Sequence, residues 1–400
     1  MDGGIIKTIR KKVLEMREEI ICFEQELVKI PSPNPPGDYQ AISKAVADKL
    51  KTAGFEVSIV GRTPEKANVV GMLNGTIGKP VLIHCAHLDT VPPGVGWTVD
   101  PYGAAIKMGK IFGRGAYDAK ARIVVYIMAV KAIQETGFHL KGNLIGYYTA
   151  DEETGGVDGA AYLAQAGHLK GDVAICEGRQ DEIWFAESGH VTLRIDVYGE
   201  AAHAMYPSLG ISAIDKMTDL LAELSKLRRD LKRKKSKIPG LTCSTINVGT
   251  IRGGQKANML ADQCSIDVDV RIIPESDVDE IMERIGGILN KLKKGDPQFR
   301  ADLQVLMRAE PSMSPRNLPI IKSIQKIGGA IMGSEPQPVG LHADSDGKYF
   351  RKAGTEAIHW GVGTAKNRGH AADEFIEIED LLNLTSAHAL VAMDFLGFEK

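Results

Sequence analysis

A histidine and an aspartate two residues apart, His87 and Asp89, follow the apolar run Val81, Leu82, Ile83 and precede Val91, Pro92 and Pro93. The run reads as a buried strand, and its period of two puts both polar side chains on one face. The prolines stop the strand and stiffen the loop beyond it. A histidine so placed can bind a metal ion through one ring nitrogen while the aspartate holds the other ring N–H and fixes the tautomer. Alone, the pair is better read as a structural contact at a strand end. Its weight comes from positions further along the chain.

Asp118 follows the turn Gly113, Arg114, Gly115 and stands just before an apolar helix over 119–135. It reads as a plain N-cap or as a carboxylate held rigidly at a helix start. Asp151, Glu152 and Glu153 end a strand over 143–148, and three adjacent acids repel unless something positive binds them. Adjacent residues point in different directions, so Glu152 and Glu153 can do different work. A short strand over 173–176 delivers Glu177, again at a carboxyl end, where open α/β sheets place their sites. His370 lies in a glycine-rich loop over 361–374 with no apolar face to pack into. His87, Asp118, Glu153, Glu177 and His370 make a set of imidazoles and carboxylates without thiolate, which suits zinc or another divalent first-row metal. Five donors exceed one tetrahedral site with an open position but fit two cations if a carboxylate bridges, and Asp118 is the natural bridge. Glu152 is then free as general base and acid.

The elements that must position these groups follow from periodicity. Residues 5–29 read as one amphipathic helix, 31–37 as a proline-stiffened loop and 39–53 as a helix. Strands are expected over 55–60, 67–73 and 80–85. From 190 to 198 apolar and polar residues alternate, as in an antiparallel strand with one exposed face. A helix over 211–227, strands over 242–251 and 263–273 and a helix over 277–293 follow, which implies an inserted α+β domain over 190–305. The flanking 1–189 and 306–400 then form one catalytic domain. Its second part holds a helix over 320–332, a polar loop from 338, a strand over 357–360 and a closing helix over 378–396.

With 44% hydrophobic and 25% charged residues and a net charge of −2, the chain gives no bulk electrostatic reason to bind nucleic acid or an anionic membrane. Five cysteines without a CxxC pair suggest neither a disulfide framework nor a thiolate metal site, and fit a reducing cytoplasm. No apolar run is long enough to span a bilayer. The basic run over 226–237 reads as a solvated helix end and loop. Gly113 and Gly115 lack the third glycine of a dinucleotide loop, which argues against an oxidoreductase.

The chain resembles the co-catalytic zinc amidohydrolases that include acetylornithine deacetylase, succinyl-diaminopimelate desuccinylase, aminoacylase and glutamate carboxypeptidase. The matching pieces, in order, are HLDTVP at 87–92, GWTVDPYG at 96–103, GRGAYDAK at 113–120, DEETGG at 151–156, CEG at 176–178, GEAAHAMYP at 199–207, GGQKANML at 253–260, Asp267 to Arg271, SDGKYF at 345–350 and GHAADEF at 369–375. The resemblance implies an α/β catalytic domain with a mixed sheet between helices, plus an inserted two-helix, four-strand dimerisation domain. It implies two divalent metal ions, zinc foremost with cobalt or manganese as alternatives. Asp118 would bridge them, with His87 and Glu177 on one and Glu153 and His370 on the other. Glu152 would be the base and Asp89 the partner of His87. His203 would reach a partner subunit's site in a homodimer and stabilise the oxyanion. Asn258 and Arg271 would meet the substrate's carboxylate, and the Asp118–Ala119 peptide would be cis. The implied reaction removes an acetyl or succinyl group from an N-acyl amino acid, with a metallo-carboxypeptidase or dipeptidase acting on short peptides as the alternative. A silent binding relative would lack a ligand or the base, and none is missing.

Overall fold

The computed structural model describes residues 2–400. The chain divides into two compact units, one of Met1–Phe185, Ser314–Pro338 and Ser345–Lys400, the other of Ala186–Met313 and Val339–Asp344.

The first unit is built on a mixed sheet. Over its first six strands the order runs from Glu56–Gly61 through Ala67–Leu73, Asn143–Thr149, Val81–His87 and Val173–Cys176 to Glu356–His359, and Glu182–Glu187 follows. The first two pairings are antiparallel and the next three parallel. The parallel strands are buried on both faces and therefore read as near-continuous apolar runs. Along Val81–His87 the ring of His84 stacks on Tyr126 of the helix Lys120–Glu135. The alternate residues Ile83 and Cys85 pack on the other side with Leu163, Leu169 and Phe350. The helix Lys120–Glu135 packs against Ile378–Leu396, and both are buried over most of their circumference, as their all-round apolar sequences require.

Parallel pairing fixes where the polar ends emerge. His87 is level with Thr149, and Cys85 with Cys176. His87, the acids after Thr149 and Glu177 after Cys176 therefore leave the sheet along one edge.

Some expectations are corrected. The helix over 5–29 is two, Gly3–Glu15 and Arg17–Val28, broken at the buried Met16 (φ −86°, ψ 5°). The polar loop from 338 begins as a strand, Gln337–Leu341. The stretch after Gly103 forms a hairpin of Ala105–Lys107 and Lys110–Phe112, which Phe375–Glu377 extends to three strands.

The second unit is a four-stranded antiparallel sheet in the order Thr245–Gly253, Gln263–Ile272, Gly189–Tyr198, Arg300–Ala309. The helices Ala213–Leu231 and Val278–Gly295 cover one face. Ser212 and Asp277 cap them, each accepting a main-chain N–H of the first turn. Val191, Leu193, Ile195 and Val197 alternate into a core with Leu220, Leu224 and Ile285. The expected boundary at 305 falls inside the strand Arg300–Ala309, so the unit ends later; an edge strand needs its full length to pair.

Among the described residues no helix is long and apolar enough to cross a membrane. The five cysteines are free.

Candidate active site

His87, the last residue of its strand, is 1% exposed. Its Nδ1 lies 2.9 Å from the main-chain carbonyl of Asp89, and the Asp89 carboxylate stands 3.6 Å away. A carbonyl can only accept, so Nδ1 carries a proton and Nε2 is aimed outward. The expectation that the Asp89 side chain holds the ring is thus corrected: its backbone does. The carboxylate instead accepts the N–H groups of Glu152 and Glu153, at 3.1 Å each, and the amide of Asn34 at 3.1 Å. It shapes the acidic loop that follows the neighbouring strand.

Asp118 does not cap the helix Lys120–Glu135; Ala119 holds that position and offers no side-chain bond. The Asp118–Ala119 peptide is cis, as the resemblance implies. Each carboxylate oxygen faces a different histidine. Oδ1 is 3.2 Å from His87 Nε2, and Oδ2 is 3.4 Å from His370 Nε2. His370 Nε2 is also 3.0 Å from Glu153 Oε2. One ligand atom from each of His87, Asp118 and Glu153 lies within 4.8 Å of the others, a spacing that admits a metal ion.

Electrostatics describe the same cavity. Burial raises the Asp118 carboxyl, but hydrogen bonds from His370 and His87 outweigh it and hold it well below the usual range. Burial works against charge on His87, yet the Asp118 hydrogen bond and the charges of Glu152, Asp118 and Asp89 keep its ring protonated well above the ordinary value. The hydrogen bond to Asp118, then that to Glu153, pushes His370 to about 10. Burial, with the charges of Asp346, Glu177 and Glu153, pushes the Glu152 carboxyl well above its usual range, and His87 opposes. Acids and imidazoles so arranged hold protons wherever a cation would otherwise sit.

Glu177 is 8% exposed, and neither carboxylate oxygen has a hydrogen-bond partner among the described residues. A buried carboxylate without a donor is costly, and a cation is the partner that removes the cost. Glu177 nonetheless stands outside the close cluster of His87, Asp118 and Glu153. The Glu152 carboxylate likewise takes no hydrogen bond among the described residues, whereas its neighbour Glu153 is engaged by His370.

Four further residues serve the site without having been singled out. Asn34 donates to Asp89, to Asp151 at 3.1 Å and to Thr154 at 2.9 Å, tying the proline loop to the acids. Asp346 accepts the Thr149 hydroxyl at 2.7 Å; burial and then Glu177 push its carboxyl up to about 7. Glu374 and Arg114 form a buried ion pair behind Asp118. For the last three the signals were the motifs GRGAYDAK, SDGKYF and GHAADEF, in which they stand.

His203, Asn258 and Arg271 belong to the second unit. His203 is exposed, and its Nδ1 accepts the Met205 N–H at 3.0 Å, which leaves Nε2 to carry the proton. Asn258 lies beside it: its carbonyl accepts the Ala204 N–H at 3.0 Å, and Met259 pairs with His203. Arg271 does not join them. Asn258 precedes the strand Gln263–Ile272 and Arg271 is near that strand's far end. At roughly 3.3 Å per residue the extended backbone separates Gln263 from Arg271 by about 26 Å. Within one chain Asn258 and Arg271 thus lie toward opposite ends of that strand. Arg271 is held instead by Asp269, through Nε at 3.1 Å and Nη2 at 3.2 Å.

Residues 84–394 match the sequence profile of peptidase family M20/M25/M40. The chain is 29% identical over 420 aligned positions to N-formyl-4-amino-5-aminomethyl-2-methylpyrimidine deformylase of Bacillus subtilis, covering 98% of this chain and 97% of the relative. It is 30% identical over 345 positions to acetylornithine deacetylase of Proteus mirabilis, covering 85% and 86%. The crystal structure of a tripeptidase from Staphylococcus aureus shares the fold, with a TM-score of 0.78 at 21% identity over 95% of this chain and 98% of the other.

Proposed function

The chain belongs to peptidase family M20/M25/M40 and is a hydrolase of amide bonds; on that premise we propose that it is a two-metal deacylase removing a small acyl group from an N-acylated amino acid or similar small amine. The observation that carries the reading is the division of labour between adjacent acids. Glu153 is drawn into the histidine cluster, and Glu152 beside it is left uncommitted with a raised affinity for protons. The relatives from Bacillus subtilis and Proteus mirabilis are, by their names, a deformylase and a deacetylase, which supports removal of an acyl group over cleavage of a longer peptide.

His87 and Glu177 would hold one cation, Glu153 and His370 the other, and Asp118 would span both. The unpartnered Glu177 carboxylate and the two-sided Asp118 support that assignment. Divalent cations bound there would supply Lewis acidity to the scissile carbonyl and to water. Zinc suits the donor set, with cobalt or manganese as alternatives. Glu152 would take a proton from the attacking water and pass it to the leaving amine nitrogen, so that water and amide become carboxylate and amine. His203 Nε2–H would donate to the oxyanion from the partner subunit of a homodimer built on the second unit. The guanidinium of Arg271, oriented by Asp269, would bind a substrate carboxylate, and Asn258 would assist His203. A cytoplasmic site of action fits the free thiols.

Elemental analysis of the purified protein, with a panel of N-formyl, N-acetyl and N-succinyl amino acids against dipeptides, tests the reading. Two metal ions per chain and turnover of an N-acyl substrate that a chelator abolishes are expected. Preference for dipeptides moves the assignment to a peptidase, and metal-independent hydrolysis overturns it.

A further inference from the structure

Three segments bring proposed ligands to the site. The strand Val81–His87, with the loop after it, carries His87, the turn at 113–118 carries Asp118, and the loop at 361–374 carries His370. One buried ion pair touches all three. Glu374 is 0% exposed and Arg114 is 1% exposed. Arg114 Nη1 pairs with Glu374 Oε2, and Nη2 donates to the carbonyls of Pro93 and Ala371, each at 3.3 Å. Glu374 Oε1 accepts the main-chain N–H groups of Tyr117 and Asp118, each at 2.9 Å. The Glu374 carbonyl accepts the Gly113 N–H at 2.9 Å, and the Arg114 N–H goes to Pro101 at 2.7 Å. Trp97 closes the outer side, its ring 5.3 Å from the guanidinium and its Nε1 donating to Pro93 at 2.7 Å.

A buried ion pair is poor evidence of stability, because desolvating both charges costs about as much as their attraction returns. What this pair supplies is geometry. The His370 loop holds Arg368, His370 and Asp373 at φ 63°, 63° and 56°. Non-glycine residues stay in the left-handed region only where their surroundings over-determine them. A planar guanidinium donating in several fixed directions does that, and a lysine cannot.

We infer that the Arg114–Glu374 pair is a positioning clamp that sets Asp118 and His370 at a common distance from a metal ion, and is not a fold-stabilising contact. The inference rests on the metal reading of those two residues. Neither clamp residue touches a reacting atom.

The test compares the wild-type chain with Arg114→Lys, Glu374→Gln and the double variant Arg114→Met/Glu374→Met, which leaves no unpaired buried charge and so protects folding. Zinc affinity is read by competition with a chromophoric chelator, and melting temperature by circular dichroism. The clamp predicts that the folded double variant melts nearer the wild type than Glu374→Gln, which leaves the Arg114 charge unpaired, and that every folded variant binds zinc about 10- to 100-fold more weakly, as for other residues supporting metal ligands. Turnover should fall chiefly in kcat and recover partly with excess zinc. Wild-type zinc affinity in a folded double variant overturns the clamp. Hydrogen exchange over 361–374 in metal-free protein separates this from failure of the metal reading. If the wild type binds no zinc, the metal reading falls; faster exchange in the variants then still supports the clamp as an ordering device for the loop, and unchanged exchange overturns it.

Discussion

In the second unit the core between sheet and helices is aliphatic with one phenylalanine, one methionine and one cysteine, and among the described residues Glu187 is that unit's one buried charged side chain. In the first unit Glu24, His84, Arg114, Lys120, Arg122, Glu374 and His388 are all no more than 3% exposed. Burial brings the Lys120 ammonium down to about 7 and His84 to about 3. The difference shows where each unit's free energy goes. An apolar core converts burial into stability at about 25 cal/mol per Å². Charges buried near a site forgo part of that in exchange for fixed directions, which the chemistry requires.

Substitutions can break or sharpen that contrast. The largest effect belongs to Glu152→Gln, which should leave metal content and melting temperature unchanged and lower kcat by about 10²- to 10⁴-fold; near-wild-type turnover removes Glu152 as the base. His203→Ala challenges the contrast from the other side, since it assigns chemistry to the aliphatic unit. Elemental analysis should find its metal content intact and steady-state kinetics a loss of about 10²- to 10³-fold. Lost metal would instead make His203 a ligand. Leu224→Ala opens a cavity among the aliphatic residues and should cost the second unit about 3 kcal/mol by calorimetry, with zinc stoichiometry unaffected.

The smallest effect is a pH dependence confined to the first unit. His84 is neutral when folded, with a pKa of about 3, and burial likewise holds His388 well below its ordinary value. Unfolded, a histidine takes up a proton near 6.5. Stability from both rings is therefore complete above 6.5 and declines as pH falls below it, for His84 by about 2 kcal/mol at pH 5 on the way toward 3. Urea titrations should show His84→Phe losing less stability between pH 7 and pH 5 than the wild type; an identical loss would mean that the ring is solvated.

The parallel strands that carry the proposed ligands were legible because their apolar runs are bounded by polar ends. Residues 173–176 and 378–396 form the strand and helix that their patterns predict. The break at Met16 was not, since Ile9, Val13, Met16 and Ile20 continue at helical spacing through it. The strand Arg300–Ala309 escaped notice because most of its residues are exposed and leave no clean alternation. Spacing supplied the site's inventory but not its supports. Glu374 meets Asp118 across 256 residues, and Asn34 meets Asp151 across 117. Such partners act on backbone or on other acids, and no local pattern records them.

The first unit is assembled from three stretches of chain, with the whole second unit made between the first and the last. On a translating ribosome the mixed sheet must therefore wait. Until residues 356–359 emerge, the strand Val173–Cys176 lacks the neighbour that covers one edge, and a bare apolar edge invites mispairing. The second unit, nearly contiguous in sequence, can close on itself meanwhile. Whatever the first unit binds through His370 is bound only after the loop at 361–374 has been made, so a chain terminated before it would carry the early acids and His87 without the group that completes them.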